Sequence, residues 1–96
     1  MNTCKDLNEV RENIDRLDNE IVKLIAQRSS FVSQAANFKK DAEDVKAPKR
    51  FAMIIEKVRG LAKDNNLNPD IIEVVYSNMI NAFINLELEE HSKINK

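Results

Sequence analysis

The sequence predicts an all-α protein: a three-helix chain with one long N-terminal helix, two copies of which intertwine as a homodimer. Three observations carry this. Apolar residues recur in steps of three and four over most of the chain, the period of a helical face. One Gly and two Pro in 96 residues leave almost nothing for the turns that a β-rich fold needs. The first apolar seam also runs too far for one small chain to cover.

The first helix extends from about Asp6 to about Lys40, with no internal Gly or Pro. Leu7, Val10, Ile14, Leu17, Ile21, Leu24, Phe31, Ala35 and Phe38 mark its seam. At about 1.5 Å per residue the helix is roughly 50 Å long. A compact globule of this chain length has a radius of gyration near ~13 Å, so much of the seam must pack on another chain. Asp41 to Pro48 breaks the periodicity and reads as a connection, with Pro48 suited to a helix start. The second helix, about Pro48 to Asn65, gathers Phe51, Ile54, Ile55, Val58, Leu61 and Ala62 on one side. Gly60 weakens it by about 1 kcal/mol relative to alanine. Asn65-Asn66-Leu67-Asn68-Pro69 is a stop followed by a new start, with Asn68 as N-cap. The third helix runs from about Pro69 to His91 and turns Ile72, Val75, Met79, Ala82, Phe83 and Leu86 inward.

Composition narrows the function. Apolar residues make up 43% of the chain, enough for a folded core in one small domain spanning residues 1–96. Fifteen basic residues against sixteen acidic ones argue against a nucleic-acid partner, since such domains usually carry a basic excess. Cys4 is the one cysteine, so there is no disulfide framework, and a frayed-end thiol explains it better than a nucleophile. Met1 to Glu9 lacks the apolar run of a signal peptide, and no stretch approaches the roughly 20 apolar residues that cross a bilayer. A cytoplasmic protein without a membrane partner is expected. His91, the one histidine, sits near a polar tail and suggests neither a metal site nor catalysis. Without a Cys/His cluster, a Gly-rich phosphate loop or a nucleophile–base pair, no metal or cofactor is expected.

The informative anomaly is Arg28, which occupies a slot on the apolar seam. A guanidinium drawn onto a buried seam costs several kcal/mol, on the order of a poorly compensated interior ion, unless an anion meets it. Lys39 lies eleven residues later; on one continuous helix the two project within roughly 20° of each other, about 16 Å apart along the axis. Arg11 is roughly 25 Å from Arg28 by the same rise, too far to join it within one chain, but an antiparallel dimer brings the partner's Arg11 close. Arg50 opens the second helix, where a chain reversal returns it toward Lys39. Glu87 stands on the inner side of the third helix, one turn after Phe83 and two after Ile80, where a carboxylate either pairs with a cation or has a raised pKa. Several cations around one interior carboxylate suit a small, multiply anionic ligand. The plainer explanation is a set of solvated side chains with buried stems, neutralised by helix neighbours such as Asp15 beside Arg11.

Arg11-x-x-Ile14-Asp15-x-x-Asp18-x-x-Ile21-Val22-x-Leu24-Ile25-x-x-Arg28, then Phe38-Lys39, Ala47-Pro48-x-Arg50 and Glu87, closely resemble the all-helical chorismate mutase family. The likeness covers roughly residues 7 to 91, and the spacing of its charged positions makes it specific. Cys4-x-x-Leu7, Phe38-Lys39 and Ala47-Pro48-x-Arg50 have the flavour of its isochorismate pyruvate lyase branch. The resemblance implies an intertwined dimer whose sites take a small dicarboxylate. Arg28, Arg50 and the partner's Arg11 would bind its carboxylates, and Lys39 would hydrogen-bond the ether oxygen of the breaking C–O bond. Val32, Ala35, Ala47, Phe51 and Phe83 would line the pocket. Glu87 falls where many members have glutamine, the second ether-oxygen donor. A carboxylate donates only when protonated, so activity would then fall as pH rises through its titration.

Two departures bear on the substrate. Typical mutases carry a glutamate directly after the second-helix arginine, and here that residue is Phe51. They also often carry an acidic residue three places before the arginine, where this chain has Ala47. Both resemble the lyase branch, whereas Glu87 in place of an amide does not. The resemblance therefore implies a chorismate mutase first and an isochorismate pyruvate lyase second. A non-catalytic helical dimerisation or regulatory module, with cations matched by internal acids, is the contrasting possibility.

Overall fold

The computed structural model describes residues 3–94, with side chains described through residue 90. It is all-helical over that span: α1 (Leu7–Ala36), α2 (Ala42–Lys46), α3 (Pro48–Asp64) and α4 (Pro69–Ile94). The three long helices are those expected; α2 is a five-residue addition where the sequence predicts only a connection. Two compact units divide the chain, Met1–Val32 and Ser33–Lys96. Among the described residues, no helix is long and apolar enough to cross a membrane.

The N-terminal unit is essentially α1. Asp6 caps it, its carboxylate accepting from the Glu9 amide at 2.8 Å and its carbonyl from Val10 at 3.2 Å. Asn13 turns its amide back to the Glu9 carbonyl and also reaches the Cys4 sulfur at 3.6 Å. No residue of α1 is buried, and the seam from Leu7 to Phe31 stands exposed.

α1 stops at Ala36, four residues short of the expected end. The amides of Asn37, Phe38 and Lys39 bond three residues back instead of four, to Gln34, Ala35 and Ala36, which tightens the chain out of the helix. Two aspartates compete for the next amides. Asp41 caps α2 by accepting from the Asp44 amide at 3.0 Å, and Asp44 accepts from the Lys40 amide at 3.0 Å. Phe38, expected on the seam, is therefore 85% exposed beyond the helix. Lys39 likewise lies on the connection, so projecting it along one helix from Arg28 does not hold.

The C-terminal unit packs α3 and α2 on α4. Val45 of α2, Val58 and Ala62 of α3, and Ile80 of α4 form its buried apolar centre. Ala47 closes α2 and opens α3 in the left-handed region (φ 38°, ψ 63°), a conformation costing a non-glycine residue about 1–2 kcal/mol. α3 ends in a Schellman motif: Leu67 N–H donates to Ala62 O at 2.8 Å and Asn66 N–H to Lys63 O at 3.2 Å, with Asn66 at φ 59°. Asn68 then caps α4 as expected, accepting from the Asp70 amide at 2.9 Å. Arg59 ties the two helices, donating to Asp70 at 2.9 Å and Glu73 at 3.0 Å. Its proton is held above the ordinary range, by the Asp70 bond before all else. A raised folded-state value means that the guanidinium keeps its charge in this link through neutral pH and gives it up only in strong alkali.

The inner face of α4 differs from the expected one. Ile72, Met79 and Phe83 are half-buried, but Val75, Ala82 and Leu86 are exposed, as is Leu61 of α3. The side turned to the core instead carries Ile80 and, two turns on, Glu87. α4 continues past His91, whose side chain lies outside the described ones.

Candidate active site

Lys39 and Glu87, 48 residues apart in sequence, meet in the C-terminal unit. The Lys39 ammonium donates to Glu87 Oε2 at 3.1 Å. Glu87 is placed by a rigid element, on the face of α4 that Ile80 fixes to the core. Lys39 is placed by an irregular one, the stretch between α1 and Asp41. The side chains are 9% and 23% exposed respectively, so the pair sits mostly out of water with one side reachable. Charge-assisted contacts are roughly twice as strong as neutral ones and gain further as water is excluded.

The other expected residues are placed as follows. Arg50 is exposed in the first turn of α3, after Pro48 and Lys49, in a turn with no acidic residue. Phe51, next along, is half-buried and lines a groove of roughly 380 Å³ with Lys46, Pro48, Asn81, Ile84, Asn85 and Leu88. Ala47 and Phe83 are half-buried and Ala35 is exposed. In the N-terminal unit Arg11 is exposed, while Arg28 and Val32 are half-buried. Of the named site residues, the structure thus brings Lys39 and Glu87 into direct contact. Among the described residues, no three His, Cys, Asp or Glu side chains gather as a metal site.

The groove shows polar residues that sequence reasoning passed over. Asn13, Asn19, Asn65 and Asn78 each spend their amide on the carbonyl four residues back. Asn81 and Asn85, one turn apart, line the groove with Lys46. The available signal was two poor helix formers spaced i, i+4 in mid-helix.

Comparison with known proteins follows the same span. The family described as chorismate mutase type II matches residues 10–88. An isochorismate pyruvate lyase from Pseudomonas aeruginosa is 31% identical over 81 residues, covering 84% of this chain and 80% of its own. A chorismate mutase from Methanocaldococcus jannaschii is 36% identical over 66 residues, 68% of this chain and 67% of its own. A bifunctional chorismate mutase/prephenate dehydratase from Buchnera aphidicola is 32% identical over 81 residues, 83% of this chain but 21% of that longer protein. All the charged positions singled out above, from Arg11 to Glu87, fall inside the matched span, and the chain belongs to the type II chorismate mutase family.

Proposed function

We propose that this chain is a chorismate mutase that works as a homodimer in the cytoplasm, converting chorismate to prephenate without a cofactor. The observation that carries the reading is the Lys39–Glu87 pair, a cation and a carboxylate held largely out of water inside the family-matched span. The rearrangement is pericyclic. The ether C–O bond breaks as a C–C bond forms, and no proton has to leave. The protein must hold the folded, near-attack conformer and stabilise negative charge on the ether oxygen as that bond lengthens. Lys39 supplies the donor, with Glu87 beside it. Arg28, Arg50 and the partner subunit's Arg11 clamp the two carboxylates through their planar, bidentate donors. Val32, Ala35, Ala47, Phe51 and Phe83 form the wall, and residues 7–91 act as one domain completed by the second copy. The exposed seam of α1 supports that dimer, since seven large apolar side chains along one helix face otherwise stand in water.

Phe51 favours a second reading. Its half-buried ring follows Arg50 where typical mutases carry a carboxylate, and the Pseudomonas lyase aligns with more of the chain than the Methanocaldococcus mutase does. In that reading the same clamp holds isochorismate and releases pyruvate and salicylate. Supplying chorismate and isochorismate separately to purified protein, and identifying prephenate, pyruvate and salicylate, decides between them. Prephenate from chorismate is expected. Folded dimer that turns over neither substrate would make the chain a non-catalytic helical module.

A further inference from the structure

We propose that the groove between α2, the start of α3 and α4 is a binding site for a small organic acid, a single carboxylate on an apolar, ring-sized body. The groove lies wholly within the C-terminal unit. At roughly 380 Å³ it falls inside the range of about 300–1,000 Å³ in which small-ligand sites are found. It is not the Lys39–Glu87 site. At 3.6 residues per turn, Asn81 and Asn85 project about 120° and 160° round α4 from Glu87, so the groove opens on another side of that helix. The inference therefore stands independently of the reaction proposed above.

The lining divides into two kinds of surface. Phe51 of α3 with Ile84 and Leu88 of α4, all half-buried, gives an apolar floor that takes a ring or a short alkyl body. Lys46, Asn81 and Asn85, all exposed, give the polar edge. The asparagines are the informative pair. Four others return their amide to the carbonyl four residues back, whereas among the described residues Asn81 and Asn85 make no such bond. Two poor helix formers one turn apart thus hold amide donors in reserve beside the groove. Lys46 adds the charge. Its ammonium meets Glu43 at 4.0 Å, with the two side chains 54% and 79% exposed, so a ligand carboxylate displaces that loose contact at little cost. Among the described residues no acidic side chain lines the groove, so an anion finds a partner there and a cation does not. With a single lysine present, one carboxylate is matched and a second would be left without a counter-charge.

The test is a titration of ¹⁵N-labelled protein with benzoate, followed through the side-chain amide resonances of Asn81 and Asn85. Saturable shifts are expected, with Kd on the order of 1 mM, the scale for a ligand of about nine non-hydrogen atoms. Acetate keeps the charge without the body, and benzylamine keeps the ring but reverses the charge; each should bind at least about tenfold more weakly. Lys46→Ala should weaken benzoate by about tenfold. Asn85→Leu, read through Asn81, should weaken it by about fivefold, the scale of one lost hydrogen bond. Glu43→Gln, which releases Lys46, should tighten it by about two- to threefold. Benzoate can also find the arginines of the proposed reaction site, so Arg50→Ala is included and should leave the asparagine shifts as they are. The inference is overturned if the asparagine amides do not shift, or if acetate or benzylamine binds as tightly as benzoate. It is overturned too if the shifts are lost in Arg50→Ala and kept in Lys46→Ala. Turnover plays no part in these readouts, so a protein that binds benzoate in the groove but converts neither substrate refutes the reaction alone.

Discussion

Replacing Ile21 by aspartate should separate the subunits of the proposed dimer and abolish turnover without unfolding α1. Ile21 is 51% exposed in the single chain. Fully burying an isoleucine is worth about 1.5–3 kcal/mol, so covering its remaining half in an interface gains roughly 1 kcal/mol per chain. Leu7, Val10, Ile14, Leu17, Leu24 and Phe31 are exposed to comparable degrees along the same seam. Seven such positions on two chains supply roughly 15 kcal/mol, comparable to the roughly 4–15 kcal/mol that association costs in lost freedom. The seam therefore has little surplus. Aspartate forfeits its share and brings a carboxylate into the interface from each side, a cost of several kcal/mol when unpaired. A combined loss of at least about 4 kcal/mol raises Kd by roughly 10³-fold or more. Sedimentation equilibrium reads the association, far-UV circular dichroism the helix content, and the chorismate assay the site, which in the proposed dimer takes Arg11 from the second subunit. A variant that sediments as wild type and keeps its activity would refute the reasoning, as would a wild-type monomer that turns over substrate.

Three further outcomes are expected. Lys39→Ala should lower kcat by about 10²-fold or more, the scale of losing one preorganised donor, and near-normal kcat would remove Lys39 from the reaction. The open space around Gly60, where an added Cβ would meet nothing within 4 Å, makes Gly60→Ala a stabilising change of about 1 kcal/mol; thermal denaturation should show a gain of roughly 4–8 °C in Tm. Ala47→Gly relieves about 1–2 kcal/mol of left-handed backbone cost against up to ~1 kcal/mol of added unfolded-state entropy, so denaturant titration should show it neutral to mildly stabilising. Marked destabilisation there would mean that the Ala47 methyl packs where its backbone conformation gives no hint of it.

The elements whose ends are set by local chemistry were legible in the sequence. Asp6, Asn66 and Asn68 each act on amides or carbonyls within a few residues and Pro48 fixes φ at a first helical position, so the start of α1, the limits of α3 and the start of α4 follow from residue type and offset. The end of α1 was not legible, because nothing in Ala36 to Lys40 breaks a helix. The chain leaves it because Asp41 and Asp44 offer the following amides better partners, a competition that becomes visible only once α2 exists. That displacement moved Lys39 off the helix and changed which partner it meets. Glu87 was legible as an interior carboxylate from its spacing to Ile80, but not its pairing, which depends on where the connection after α1 turns.

α4 shows most clearly what one chain leaves unfinished. Its core side carries Ile80 and Glu87, yet Ile71, Val74, Val75 and Leu86 on its other sides are exposed. Assigning one inward face to such a helix must misplace Val75, Ala82 and Leu86, because a helix apolar on most sides is built to be covered from more than one direction. α2 and α3 supply one cover; in the proposed dimer the second subunit supplies the other. The same requirement follows from the chemistry. A lysine still about a quarter exposed, as Lys39 is at 23%, acts on a developing oxyanion through water that weakens it. Excluding that water, by substrate and by the second subunit together, is what would raise one ammonium to a catalytic group, so assembly and rate should be lost in the same variants.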